Sequence, residues 1–413
     1  MIESKEQTCV VIGASHAGVN FAFSLRKEGW QGKIILFDAD PHLPYHRPPL
    51  SKAFLTSEAG IANYLLKPEQ SYQNESIELQ LGKSVTSINR DLKVISLSDG
   101  HIQSYDKLVF ATGARALVPN IVGLSAGAHV CYLRTAADVL KIKEAYGLSK
   151  SKKVLIIGGG YIGLEIAASL KKLGASVVIL ERERRILSRV TSPEMSAYFY
   201  NLHTQNGVEV YANKQVVSVE TLEETKQVTC QDGSEYLADL IIVGVGVRVN
   251  FELAESIGLE IENGIKVNEF AQTSDSDIYA TGDCTNHFNP HYGRYVRLES
   301  VQNAVDQGKV AAAAISGKWQ AYDSIPWFWS DQYDTKLQIV GLADGYDDLI
   351  MREDDNQKRS VWYFKAEKLL SVDAINNAKA YVIGTKVIKE NKHINKNVLS
   401  DISIPLNYDL LTS

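Results

Sequence analysis

Gly13 and Gly18, with Asp38 at the tip of the apolar run 34–37, have the residue types and spacing that hold a pyrophosphate. Gly158, Gly160 and Gly163, with Glu181 closing the apolar run 177–180, repeat the pattern about 145 residues later. In each case the glycine turn lets backbone N–H groups at a helix N-terminus reach phosphate oxygens, and the carboxylate accepts from a ribose hydroxyl. Two such sites on one chain predict two bound dinucleotides, one for each half of an electron relay, and hence an oxidoreductase. The first site departs from the pattern at its middle glycine, which is Ser15. A Cβ there crowds a pyrophosphate, while the hydroxyl offers it a donor. His16 and Ala17 complete the first turn, and His16 is placed to touch a phosphate. At the second site Glu181 favours the 2′-hydroxyl of NADH, while Arg182, Arg184 and Arg185 are what a 2′-phosphate would want.

Each site requires a strand, a turn, a helix and a second strand to position it, and the chain repeats more than these. Asp99-Gly100 followed by the run 108–113 is mirrored by Asp232-Gly233 and the run 240–244, and Asp-Gly is a hairpin signal. The first half carries a surplus, assigned to the proline-dense stretch 41–52, which cannot be a crossover helix and is expected to shape a loop over ligand. After Gly246 the chain is expected to return to the first unit, ending in a strand at 278–280 and a helix at about 301–315. Runs 337–340, 360–364 and 369–372 read as strands of a further unit. The class is therefore α/β: two Rossmann-like dinucleotide-binding domains plus a C-terminal α+β domain. The boundaries are 1–115 with 247–324 for the first, 116–246 for the second and 325–413 for the third.

Bulk properties exclude several functions. A net charge of −6 over 413 residues carries no nucleic-acid footprint. No apolar run approaches the ~18 residues of a membrane span. A first strand beginning by about Thr8 leaves no room for a signal peptide, so a cytoplasmic location is expected. Cys9, Cys131, Cys230 and Cys284 are scattered, with no CxxC pair and no cluster spacing, and the nine histidines show no metal spacing. No metal site is expected, and no redox disulfide is available beside a flavin.

The loop 44–52, Ala111-Thr112-Gly113, the run 158–165, Thr281-Gly282-Asp283, the run 299–304 and the run 326–332 occur in an order that resembles the FAD-dependent ferredoxin reductase family, of the putidaredoxin-reductase and rubredoxin-reductase type. The resemblance spans nearly the whole chain and implies a glutathione-reductase-like fold. It implies FAD at Gly13, Ser15, His16, Ala17, Gly18, Asp38, Arg47, Lys52, Ala111, Thr112, Gly113, Asp283, Val301, Gln302 and Trp329. It implies NADH at Gly158, Gly160, Tyr161, Ile162, Gly163, Glu165, Glu181 and Gly246. Lys52, Glu165 and Trp329 become the candidate catalytic residues. Lys52 and Glu165 either pair beside the flavin or are two surface charges. Asp283 either binds the ribityl chain or caps a helix ahead of Thr285. Trp329 either shields the flavin or packs a core.

The resemblance implies a relay in which NADH reduces the flavin and the flavin hands electrons singly to a small [2Fe–2S] ferredoxin or a rubredoxin. That carrier in turn feeds an oxygenase or a cytochrome P450. Such carriers are usually acidic, so Arg294, Arg297, Lys309 and Lys336 are candidate docking residues. Two other readings stay open. One is an NADH oxidoreductase whose acceptor is a quinone, oxygen or monodehydroascorbate. The other is a protein similar to apoptosis-inducing factor, in which reduction by NADH acts as a signal.

Overall fold

The computed structural model describes residues 6–124, 129–223, 225–355 and 357–412. The chain divides into two units. The first comprises the stretch up to His46 together with Ile61–Arg115 and Arg248–Phe328, and the second Arg47–Gly60, Ala116–Val247 and the chain from Trp329 onward. The surplus 41–52 is thus shared between the units.

The first unit is organised on a five-stranded parallel sheet, in the order Ile278–Ala280, Lys107–Phe110, Thr8–Ile12, Lys33–Asp38, Ile77–Leu81. Its central strand is covered on both faces. Cys9 and Val11 enter one apolar cluster with Phe21 and Leu25, while Val10 and Ile12 enter another with Phe37 and Phe110. A parallel strand buried on both sides reads as a continuous apolar run, and this one does. The helix His16–Lys27 follows the glycine turn, with Arg26 and Lys27 in its last turn complementing the dipole and no acid in its first. It crosses the helix Val301–Ile315 closely. A Cβ on Gly308 would lie 3.0 Å from Phe21 N and 3.1 Å from Ala17 O.

The second unit repeats the design. Its parallel sheet runs Glu209–Tyr211, Ser176–Leu180, Lys153–Ile157, Leu240–Val243, Val130–Tyr132, and the helix Tyr161–Lys172 again ends on two lysines with no acid in its first turn. Both Asp-Gly pairs form the expected turns, with Gly100 at φ +86° and Gly233 at φ +81°, each between antiparallel strands. The C-terminal part carries a five-stranded sheet in which Thr335–Gly341, Lys368–Ile375, Arg359–Lys365 and Asp348–Glu353 pair antiparallel in that order, covered by the helix Ala378–Glu390. The α/β class and the helix 301–315 match the sequence expectation. The strands Trp327–Gln332 and Asp348–Glu353 and the helix Ala378–Glu390 were not anticipated. Among the described residues, no helix is long and apolar enough to cross a membrane.

Candidate active site

The two glycine turns are built alike to within a few tenths of an ångström. Gly13 stands at φ +112°, where a Cβ would lie 2.2 Å from Ala111 O. Gly158 stands at φ +110°, where a Cβ would lie 2.5 Å from Gly244 O. Each is a left-handed position pressed on the backbone that leaves the neighbouring parallel strand, Lys107–Phe110 in the first unit and Leu240–Val243 in the second, so only glycine fits. Gly18 and Gly163 close the turns from the helix side, a Cβ there lying 1.9 Å from Gly13 O and 2.2 Å from Gly158 O. The intervening position is open: a Cβ on Gly160 meets nothing within 4 Å. Ser15 occupies the equivalent place in the first unit, where it is the helix N-cap residue without a side-chain capping bond. Two acid-free helix N-termini behind like glycine turns, the second opening onto space at Gly160, fit the pyrophosphate of a dinucleotide.

The acids at the strand tips are tied to these turns. Asp38 Oδ2 accepts from Ala14 N at 2.6 Å and Oδ1 from Asp40 N at 2.9 Å. Glu181 Oε2 accepts from Gly159 N at 2.6 Å and Oε1 from Glu183 N at 2.8 Å. Each oxygen keeps a lone pair for a ribose hydroxyl. The nearby arginines are largely committed elsewhere. Arg182 pairs with Glu183 at 2.9 Å, and the Arg185 guanidinium donates to the carbonyls of Ser188, Thr191 and Ser192. Glu181 is the candidate for selection against a 2′-phosphate, with Arg184 an exposed arginine near it in the chain. Glu181→Ala is expected to lower the NADH/NADPH preference in kcat/KM by about 10- to 150-fold, the worth of a hydrogen bond to a charged group. An unchanged ratio would remove Glu181 from cofactor selection.

In the first unit, Gly282 (φ +83°) would place a Cβ 3.0 Å from that of Ala17 and 3.6 Å from that of Ala304, so the turn Gly282–Cys284 sits against both helices near their N-termini. Asp283 lies in this turn, half-buried. A strand, Thr285–Asn289, follows it, so Asp283 caps no α-helix and that alternative is corrected. Ala111, Thr112 and Gly113 form the loop under Gly13, and the Thr112 hydroxyl donates to Asn250 O at 2.6 Å. His16 and His46 stack edge to face at 5.4 Å. Val301 opens the helix Val301–Ile315. Gln302 is buried with its amide committed, Nε2 donating to Asp306 Oδ2 at 2.8 Å and Oε1 accepting from Trp327 N at 3.4 Å.

In the second unit, Gly246 (φ +120°) lies beside Arg189 and Ile162 is exposed, while the Tyr161 hydroxyl is buried in the field of Asp373 and Tyr363, which pushes its ionisation well up. Arg47 donates to Arg134 O at 2.6 Å. Trp329 is half-buried on the strand Trp327–Gln332.

Lys52 and Glu165 are not two surface charges. Lys52 Nζ lies 2.6 Å from Glu165 Oε2, and the glutamate side chain is 2% exposed against 22% for the lysine. Two hydroxyls join the pair: Ser51 Oγ donates to Oε2 at 2.5 Å and Ser330 Oγ to Oε1 at 2.6 Å. Glu165 therefore has no uncompensated oxygen. Sequence reasoning singled out neither serine, though both fall inside stretches it quoted.

The cysteines are all buried and free. Burial raises each thiol, Cys131 to about 11, which withholds the thiolate that disulfide exchange requires. Two of the candidate docking residues are neutralised by neighbours: Arg297 pairs with Glu299, and Lys309 with Asp306 at 3.2 Å. They contribute no net positive patch.

A family model described as pyridine nucleotide-disulphide oxidoreductase matches residues 7–308, and one described as reductase C-terminal matches residues 327–409. Putidaredoxin reductase CamA of Pseudomonas putida is 40% identical over 406 residues, covering 96% of this chain and 95% of that protein. Rubredoxin-NAD(+) reductase of Ectopseudomonas oleovorans is 38% identical over 372 residues, covering 90% and 96%. Among solved structures, a covalent putidaredoxin reductase–putidaredoxin complex superposes with a TM-score of 0.90 at 39% identity, covering 97% of each chain. A ferredoxin reductase from Rhodopseudomonas palustris gives 0.93 at 36%, covering 97% of this chain and 98% of that one.

Proposed function

The chain belongs to the pyridine nucleotide-disulphide oxidoreductase family, and from that membership we propose that it is an NADH-dependent flavoprotein reductase serving a small iron–sulfur carrier, a ferredoxin or rubredoxin that feeds an oxygenase or cytochrome P450. One observation carries the reading. A twice-built glycine turn lies on a chain that matches carrier reductases over nearly its whole length and holds its four cysteines as separate buried thiols. Such an enzyme has no disulfide of its own to reduce, so its electrons must leave for an external acceptor.

Bound FAD would supply the chemistry, accepting a hydride and releasing electrons one at a time. The protein's part is to bind and orient. Gly13, Ser15, Ala17 and Gly18 would receive the FAD pyrophosphate and Asp38 its adenosine ribose, with Thr112, Gly113, Asp283 and Val301 on the same unit. Gly158, Gly160 and Gly163 would receive NADH, with Glu181 on its ribose. The paired Lys52 and Glu165 supply a fixed, internally compensated charge on the nucleotide helix. The division into 1–115 with 247–324, 116–246 and 325–413 is the domain organisation we assign to these roles, and the cytoplasm the compartment.

NADH-driven cytochrome c reduction, with and without ferredoxins and rubredoxins from the same organism, tests the reading. A rate that rises at least 10-fold with one carrier is expected. Rapid flavin reduction by NADH without any carrier-dependent rate would move the acceptor to a small molecule or the role to signalling.

A further inference from the structure

Beyond Glu165 the hydrogen bonds do not stop. Ser330 Oγ, which donates to Glu165 Oε1, lies 3.1 Å from Gln332 Nε2. Gln332 Oε1 lies 2.8 Å from His203 Nε2, and His203 Nδ1 lies 3.3 Å from the Tyr333 hydroxyl. Ser330 and His203 are 0% exposed and Gln332 1%. A run of buried polar side chains thus leads from the ion pair, along one face of the strand Trp327–Gln332, to the helix Pro193–Gln205.

The direction of every bond in this run follows from its end. Glu165 faces the Lys52 ammonium and the Ser51 hydroxyl, so it is an acceptor. Ser330 has one proton, and it is spent on Glu165, so towards Gln332 the same oxygen accepts. Gln332 must then present Nε2 to Ser330 and Oε1 to His203. An amide oxygen only accepts, so His203 carries its proton on Nε2 and leaves Nδ1 to accept from Tyr333. Burial lowers His203 to about 4, so the ring stays neutral and one nitrogen stays an acceptor. The other tautomer would reverse every link: the amide would turn over, Ser330 would donate to Gln332, and Glu165 Oε1 would lose its donor.

We propose that Gln332 and His203 are positioning residues for the Lys52–Glu165 pair, acting through Ser330 by fixing its hydroxyl proton on Glu165. Neither touches the pair itself. The inference rests on the reductase reading, because it makes the orientation of that pair a matter for NADH oxidation.

The ring tautomer is measured first, by nitrogen–proton correlation spectra of histidine-labelled wild-type protein, with His203→Gln to assign the signal. The Nε2–H pattern, held from pH 5 to 8, is expected; the Nδ1–H pattern overturns the proposal. Gln332→Glu then replaces the donor facing Ser330 by an acceptor and draws the hydroxyl proton away from Glu165. NADH reduction of the bound flavin is expected to slow by roughly 10-fold, with KM for NADH unchanged. Ser330→Ala should show the same loss, and adding Gln332→Glu to it should cost nothing more, since the route is already cut. Losses that add in the double variant would overturn the proposal, because they would make Gln332 a packing residue. Wild-type protein with the Nε2–H tautomer and no NADH reduction supports the hydrogen-bond direction and counts against the reductase reading.

Discussion

Lys52→Met is expected to destabilise the protein by about 2–4 kcal/mol and to be largely repaired by a second substitution, Glu165→Gln. Removing the ammonium leaves a carboxylate that is 2% exposed with only the Ser51 and Ser330 hydroxyls for company. Breaking a buried pair by deleting one partner typically costs about 3–5 kcal/mol, because the remaining charge is uncompensated; partial exposure of Lys52 places this case towards the lower end. Neutralising the survivor removes that cost, so urea midpoints of the double variant should recover at least half of the loss. Activity should not recover with stability. The double variant is expected to reduce its flavin with NADH as slowly as Lys52→Met, since the Lys52 ammonium is missing from both. A single variant within about 0.5 kcal/mol of wild type would show that solvent already satisfies Glu165. A double variant that regains full rate would make the pair purely structural.

What the sequence discloses of this site follows from distance along the chain. Both glycine turns, their acids and their helices are local, and local spacing is what strand and helix periods expose. The pairing of Lys52 with Glu165 spans more than a hundred residues, and no periodicity reports it; it was reached through family likeness. The two serines and the run to His203 stayed hidden for the same reason. One signal was present: Ser330 and Gln332 alternate on a strand whose same-face positions are buried, and buried polar residues demand partners. The missed strands have their own causes. Asp348–Glu353 ends on charged residues and is edge-placed in its sheet, so its pattern is weak, while Trp327–Gln332 opens on three aromatic residues in a row, which masks its alternation. The cap alternative for Asp283 rests on Thr285, a residue type that suggests a helix start. The Thr285 hydroxyl instead lies 2.9 Å from Gly282 O and 2.8 Å from Gln307 Oε1, its one proton shared between these acceptors, inside a turn-to-strand junction.

Asp373→Asn is expected to stabilise the protein at pH 7 by up to ~3 kcal/mol and to do nothing below about pH 4. Asp373 is 2% exposed, and its Oδ2 accepts from Thr191 Oγ1 at 2.6 Å and from the Tyr363 hydroxyl at 2.7 Å. Among the described residues no cation accompanies these two hydroxyls as its hydrogen-bond partner, and burial raises the acid to about 6. Between its unfolded value of 3.8 and about 6 the folded state binds the extra proton, so this group's contribution to stability is full below 3.8 and is lost as pH rises through 6. His203 and His287 act with the opposite sign. Burial lowers both from 6.5 to about 4, so their contribution is full above 6.5 and is lost as pH falls through 4. Over the same window one acid gains what one histidine loses, and the wild-type profile carries only the difference. An asparagine at 373 keeps an oxygen acceptor for both hydroxyls and removes the acid's share. Its stability should therefore fall more steeply than that of wild type from pH 6.5 to 4, the two curves converging at the acid end. Urea midpoints at pH 4, 5, 6 and 7 measure it. A difference that does not change with pH would make the effect one of packing, and a less stable variant at pH 7 would mean that the two hydroxyl bonds outweigh the cost of burying the charge.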